Sequence, residues 1–259
     1  MTLTADVQLN PSRRVGGLRA AANPLGGDWQ RGLDAGGNGC LAPVRLAPCA
    51  VGDAEAQRPS TPAKWLPVTV RQIVECSSLG VAAAERVKTY AQGAGDVTVD
   101  YAMALELFDG AGSGTNPSLS DATVVGEVTG ITDASDSLAA AIACAEAAAA
   151  TGLSGRIAFV HVPQGLSIYL PSSVRLDGSG VWRTPAGNVV VISPGYSGTS
   201  IFATGEVWVA SERIGTRVFT DRSDNTDRAW DDQLVLAVFD PCFNVEVTTD
   251  IPECSPPSQ

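Results

Sequence analysis

The chain carries a single histidine, His161, set between Val160 and Val162 in an apolar run. A catalytic imidazole needs a nucleophile or an orienting carboxylate beside it. On a buried strand the expected role is a core histidine whose ring nitrogens are satisfied by neighbours. No G-x-S-x-G elbow presents a serine. The densest acidic run is Asp221, Asp224, Asp227, Asp231 and Asp232. It lacks the glycine and closing glutamate of a calcium loop, and Arg222 and Arg228 interrupt it. It reads as a solvated, salt-bridged face, with 222–232 an exposed loop or short helix. Gly110-Ala111-Gly112-Ser113-Gly114 has the composition of a phosphate loop. No lysine follows it, and no strand precedes it with a helix directly after, so the context that loop needs is missing. These residues call for no metal and no cofactor, and they argue against an enzyme.

The six cysteines are Cys40, Cys49, Cys76, Cys144, Cys242 and Cys254. None forms a C-x-x-C pair and their spacing fits no zinc finger or ribbon. Cys40 with Cys49, and Cys242 with Cys254, are near enough to bridge a loop. Reduced thiols are the simpler expectation, with Cys76 and Cys144 as small core residues.

With 259 residues, 44% of them hydrophobic and 17% charged, the chain can bury a substantial core. Its net charge of −11 argues against a protein that grips nucleic acid by counterion release. A container that holds DNA without gripping it is not excluded. No apolar stretch approaches the length of a membrane span, and the N-terminus lacks a signal-peptide pattern, so a cytosolic start is expected.

Residues 1–65 differ from the rest. They are rich in Gly, Pro, Ala and Arg, and no helix or strand period persists across them. They fit a disordered tail. They equally fit an extended arm that orders on a neighbouring subunit, with Arg13, Arg14, Arg19, Trp29, Arg31 and Arg45 as candidate intersubunit contacts. Beyond Trp65, LPVTVRQIVEC reads as a strand. A helix over 81–92 should stop at Gly93 and Gly95, and Asp96 should cap a second helix with Val99, Met103 and Leu107 on one side. Residues 110–120 read as a flexible loop. Asp133 or Ser135 should cap an alanine-rich helix over 136–151, with Leu138, Ile142 and Ala145 as its stripe and Gly152 at its end. Strands are expected over 156–162, 189–192, 201–210, 234–239 and 243–248, and 164–170 is a short helix or a loop. Helices and strands mix without regular βαβ alternation, which gives an α+β class.

In their order, several segments resemble the major capsid proteins of tailed bacteriophages, of the HK97 fold, most nearly those of actinobacteriophages. They are WLPVTVRQIVECSSLG with a helix after it, MALELFDG, a capped alanine helix running into GRIAFVHVPQG, TPAGNVVVISPGYSG, IFATGEVWV, and Asp224-Asn225-Thr226-Asp227-Arg228 before LVLAVFDPCFNVEV. The resemblance covers about residues 65–250. It implies a structural subunit that self-assembles into an icosahedral head shell around phage DNA. An encapsulin-like nanocompartment, or another virion part such as a vertex, decoration or tail protein, is the alternative. It implies an arm over 1–65 with room for the extended loop within 41–65, and a P-domain region with a long helix over 66–135. An A-domain over 136–200 and returning P-domain strands with the tail over 201–259 complete the division. Its implied partners are further copies of the chain in hexamers and pentamers, and scaffolding, portal and decoration proteins. The implied location is a virion assembled in the host cytoplasm.

Overall fold

The computed structural model describes residues 17–31, 33–35, 63–77, 82–153, 155–221, 223, 226–241 and 243–252. Three short pieces open the described chain: α1 (Leu18–Ala21), β1 (Asn23–Pro24) and β2 (Leu33–Ala35). β3 (Ala63–Trp65) and β4 (Val68–Ser77) lead to the long helix α2 (Ala82–Asp109). β5 (Thr123–Val128) and α3 (Ala134–Gly152) follow. Then come β6 (Phe159–Pro163), β7 (Arg175–Leu176), β8 (Trp182–Arg183), β9 (Val189–Ser193) and β10 (Ile201–Thr204). A long hairpin, β11 (Val207–Asp221) and β12 (Thr226–Phe239), precedes β13 (Asn244–Thr249).

The strands form three sheets. A seven-stranded mixed sheet runs β5-β13-β10-β6-β9-β8-β7, a four-stranded sheet runs β1-β11-β12-β4, and β2 pairs with β3. α3 covers one face of the seven-stranded sheet. Its Leu138, Ala141, Ile142 and Ala145 pack with Val160, Val162, Ile201, Ala203, Val245 and Val247. Alternation along β6 turns Phe159 and His161 to the opposite face. There Phe159 and Phe202 join Val99, Met103 and Leu107 of α2 in the second core, with Trp65 and Phe239. Trp65 and Phe239 meet edge to face at 5.0 Å.

The expected capping of the alanine helix holds. Asp133 accepts from the Ser135 and Asp136 amides, so it is the N-cap. The expected break in α2 does not occur, because the helix runs unbroken from Ala82 to Asp109. A glycine costs about 1 kcal/mol against alanine in a helix interior. At Gly95 that cost comes with a packing gain. An added Cβ would lie 2.5 Å from Asp231 Oδ2 and 2.9 Å from Gln233 Nε2, so any other residue here would displace these two buried side chains of β12.

The expectation for 222–232 is overturned in its loop or short helix and in its solvation, while its salt bridges hold. Among the described residues of that stretch, Thr226 onward belongs to β12, and Asp227, Asp231 and Asp232 are buried. Their carboxylates are matched one by one. Asp227 takes the Thr220 hydroxyl, Asp231 takes Arg213, and Asp232 takes Arg71. Polar partners, rather than water, satisfy this acidic run.

The loop after α2 is built rather than loose. Glu106, nearly buried, accepts from the Gly112 and Ser113 amides and from Asn116 Nδ2. Asn116 also exchanges two hydrogen bonds with the backbone of Leu66, tying the loop to the start of β4. Cys144 is a free, half-buried thiol packed beside the α3 core. Cys40, Cys49, Cys242 and Cys254 lie outside the described residues, as does the Cys76 side chain.

Candidate assembly surfaces

His161 is fully buried and satisfied on both sides. Tyr196 Oη lies 3.0 Å from Nδ1 and Thr204 Oγ1 lies 3.0 Å from Nε2. The Thr204 hydroxyl donates its one hydrogen to the Gly205 carbonyl at 3.0 Å. It must therefore accept from Nε2–H, which leaves Nδ1 to accept from the Tyr196 hydroxyl. The ring is neutral in this arrangement, and burial lowers its pKa to about 3. Burial, and then the Asp100 charge, raise the Tyr196 phenol well above its ordinary value. Both hydroxyls that meet the imidazole are buried, and that of Thr204 spends its proton on the Gly205 carbonyl rather than on the ring.

A pH dependence follows. The unfolded chain protonates its histidine near 6.5 and the folded chain only near 3. A lowered folded pKa means the unfolded state binds the extra proton between those values. The stabilisation from neutral His161 is complete above about pH 6.5 and falls as the pH drops toward 3. At about 1.4 kcal/mol per pH unit, roughly 2 kcal/mol should be lost between pH 6.5 and 5. Because the chain has one histidine, urea unfolding across that range reads this group almost alone. A free energy of unfolding that stays flat from pH 7 to 5 would contradict the assignment.

Among the described residues, no cluster of three or more His, Cys, Asp or Glu side chains could hold a metal. An open cleft of about 720 Å³ is lined by Gln164, Ser167, Leu170, Trp182 and Ile192, among others. None of these is an acid, a base or a thiol.

The features that remain are surfaces. Residues 227, 229, 231 and 233 of β12 turn toward α2, so 228, 230 and 232 face away. Cross-strand register then builds a row of Ile73, Trp230 and Arg217, and a neighbouring row of Glu75, Arg228 and Phe219. Ile73 is 59% exposed and Phe219 53% exposed. Two ion pairs frame them. Arg71 holds Asp232 through two bonds of 2.6 and 3.0 Å, and Arg228 Nε meets Glu75 at 2.9 Å. Among the described residues, the result is an uncovered sheet face with apolar side chains between fixed charges, the composition of a protein contact. Sequence reading missed it because its members are distant in the chain and share a face only through the β4-β12-β11 register.

The opposite face holds the polar joint between hairpin and helix. Arg213 donates from Nε to Asp231 and from Nη2 to Asp96 at 2.7 Å. Thr216 and Gln233 also donate to Asp231, at 2.7 and 2.9 Å.

The sequence-derived contact residues fall into two groups. Arg13, Arg14 and Arg45 lie outside the described residues. Arg19, Trp29 and Arg31 lie on a segment that packs against its own chain. β1 pairs in parallel with β11, and the Arg19 amide donates to Asp100 of α2. Trp29 is 6% exposed and belongs to the core under α2, whereas Arg31 is exposed. The structure does not gather these three into one site.

No protein-family model matches the sequence, and no curated protein matches it. Solved structures do. One is the capsid of an empty GTA particle, with a TM-score of 0.53 at 12% identity, covering 92% of this chain and 91% of that one. A structure from Mycobacterium phage Ogopogo gives 0.55 at 12% identity, covering 92% and 94%. One from Microbacterium phage Oxtober96 gives 0.52 at 11% identity, covering 96% and 95%. At these identities the likeness shows the fold. It is the HK97-like α+β fold that the sequence resemblance implied.

Proposed function

We propose that this chain is a structural shell subunit that self-assembles into the icosahedral head of a tailed phage or a phage-like particle. The observation that carries this reading is the fold match to the GTA capsid, which extends over more than nine-tenths of both chains. A likeness of that extent leaves little of either chain for an unrelated domain. The neutral, fully bonded His161 and the uncovered Ile73–Trp230–Phe219 face support a role in contact rather than catalysis. The shell would enclose DNA without sequence-specific binding, in keeping with the acidic net charge. No described helix is long and apolar enough to cross a membrane.

In this reading α2 is the spine of the P-domain, with the β11–β12 hairpin and β4 as its sheet. The seven-stranded sheet with α3 forms the A-domain, which draws in β5, β10 and β13 from outside the 136–200 bounds expected from the sequence. The β2–β3 ladder closes the base of the stretch in which the extended loop belongs, and most of residues 41–65 lie outside the described residues. Copies would meet through heterologous contacts, the kind that close rings of five and six. The framed face of the β4-β12-β11 sheet, together with Arg19 and Arg31, supplies candidate contacts. Scaffolding, portal and decoration proteins are the further partners such a shell would engage.

Negative-stain electron microscopy of the purified chain tests the reading. Closed shells on the order of tens of nanometres across are expected, since heterologous rotation that closes gives finite assemblies. A stable monomer at every salt concentration and pH would overturn it.

A further inference from the structure

The helix α1 begins against α2. The Arg19 amide, in the first turn of α1, donates to Asp100 Oδ1 at 2.8 Å, so Asp100 holds the start of α1 and fixes where the preceding chain leaves. That point is beside an apolar stripe. With about 100° of rotation per residue, Tyr90, Ala94, Val97 and Tyr101 fall on one side of Asp100, at about 60 to 120° around the helix axis. Val97 is 53% exposed and Tyr101 46% exposed, and Tyr90 and Ala94 are half-buried. Among the described residues, Val97 and Tyr101 keep about half of their surface open. They form an apolar ridge on an otherwise well-packed helix.

The segment before Gly17 has a matching pattern. Although no period persists across residues 1–65, residues 3–9 alternate strictly: Leu3, Ala5, Val7 and Leu9 separated by Thr4, Asp6 and Gln8. Such alternation gives an extended chain one apolar face, which needs an apolar partner. Pro11 follows this run, and Val15 comes just before the α1 anchor. Length is no obstacle. Sixteen extended residues reach about 50 Å, whereas the stripe from Tyr90 to Tyr101 is about 17 Å long.

We propose that residues 1–16 of this chain bind the Tyr90–Ala94–Val97–Tyr101 stripe of their own α2, with Leu3, Val7, Leu9 and Val15 as the apolar contacts. The occupant is the chain's own N-terminal segment because the Asp100 anchor delivers it to that stripe at a high effective concentration. The proposal divides the 1–65 region in two. Its start is a strap on the subunit's own helix, and only the remainder is available to reach another copy. It stands whether or not the subunits form shells.

Limited trypsin digestion of the full chain tests it. Cleavage after Arg13 and Arg14 is followed by mass spectrometry, separately in unassembled subunits and in any particles. In unassembled wild-type subunits these bonds should be cut at least about ten times more slowly than in the Val97→Asp/Tyr101→Asp variant. The Leu3→Ser/Val7→Ser/Leu9→Ser variant, which leaves the body of the fold untouched, should show the same acceleration. Fast cleavage in wild-type subunits overturns the proposal. So does protection that appears only in particles, which would assign the stripe to a neighbouring copy. Failure on either count leaves the shell reading to be judged by microscopy alone.

Discussion

Gly195→Ala is expected to destabilise the chain by roughly 3 kcal/mol, the upper end for overpacking a rigid site. For a chain of this size that corresponds to a fall in Tm of about 6 to 12 °C. Gly195 lies in the connection between β9 and β10, where that connection presses on α2. An added Cβ would lie 2.6 Å from the Leu105 amide nitrogen and 2.9 Å from both the carbonyl carbon and the Cβ of Ala104. Two of those obstacles are helix backbone and cannot rotate aside. The helix and the seven-stranded sheet would have to part, and that opens the contacts beside them. Phe108 packs edge to face on Phe202 at 5.6 Å, and Tyr196 holds His161. Gly165→Ala is the control. Nothing lies within 4 Å of the Cβ it would add, so it should change stability by no more than about 0.5 kcal/mol. Thermal unfolding of both variants decides the matter. A Gly195→Ala protein that melts with the wild type would mean the helix and sheet are not locked at this point.

Asp231→Ala should cost about 3 kcal/mol. Asp231 is fully buried and accepts from Thr216, Arg213 and Gln233 beneath α2. Removing it leaves the Gln233 amide, 5% exposed, with only its longer 3.4 Å bond to Asp96, and takes the acceptor from the half-buried Thr216 hydroxyl. Breaking a buried pair costs about 3 to 5 kcal/mol. The lower end applies because the Arg213 side chain is 35% exposed and can turn to solvent. Asp231→Asn keeps one acceptor oxygen and should fall between. Arg71→Ala breaks the other Asp pair of the hairpin, on its outer face. Arg71 is 54% exposed, so its loss should cost no more than about 1 kcal/mol. Denaturant midpoints that rank Arg71→Ala as the more damaging change would refute this account of the joint.

Both sites explain how far the sequence could be read. The capped alanine helix was legible from Asp133 to Gly152, because its cap and its stripe are local. So was the Val99–Met103–Leu107 stripe of α2, and so was the core role of His161, whose apolar flanks placed it on a buried strand. The order of these segments was enough to suggest the HK97 fold. The unbroken α2 was not legible. Gly93 and Gly95 are helix-breaking signals in any local reading, and only the approach of Asp231 and Gln233 gives Gly95 a reason to be there. The acids of 226–232 looked solvated because their partners, Arg71, Arg213 and Thr220, are supplied by other strands.

What the sequence determined by itself is the apolar setting of its one histidine and the spacing of its acids. One histidine between valines and an acidic run without calcium-loop spacing are properties of residue type and spacing alone. Tertiary structure decided which surfaces are left uncovered and which charges are consumed inside the fold. It buried Trp29 in its own subunit, paired the hairpin aspartates, and left Ile73, Trp230 and Phe219 on an open sheet face. The reason is one of range. Caps, stripes and alternation act over a few residues, whereas register between β4, β12 and β11 joins residues more than a hundred positions apart. No local pattern encodes which side chains will share that face.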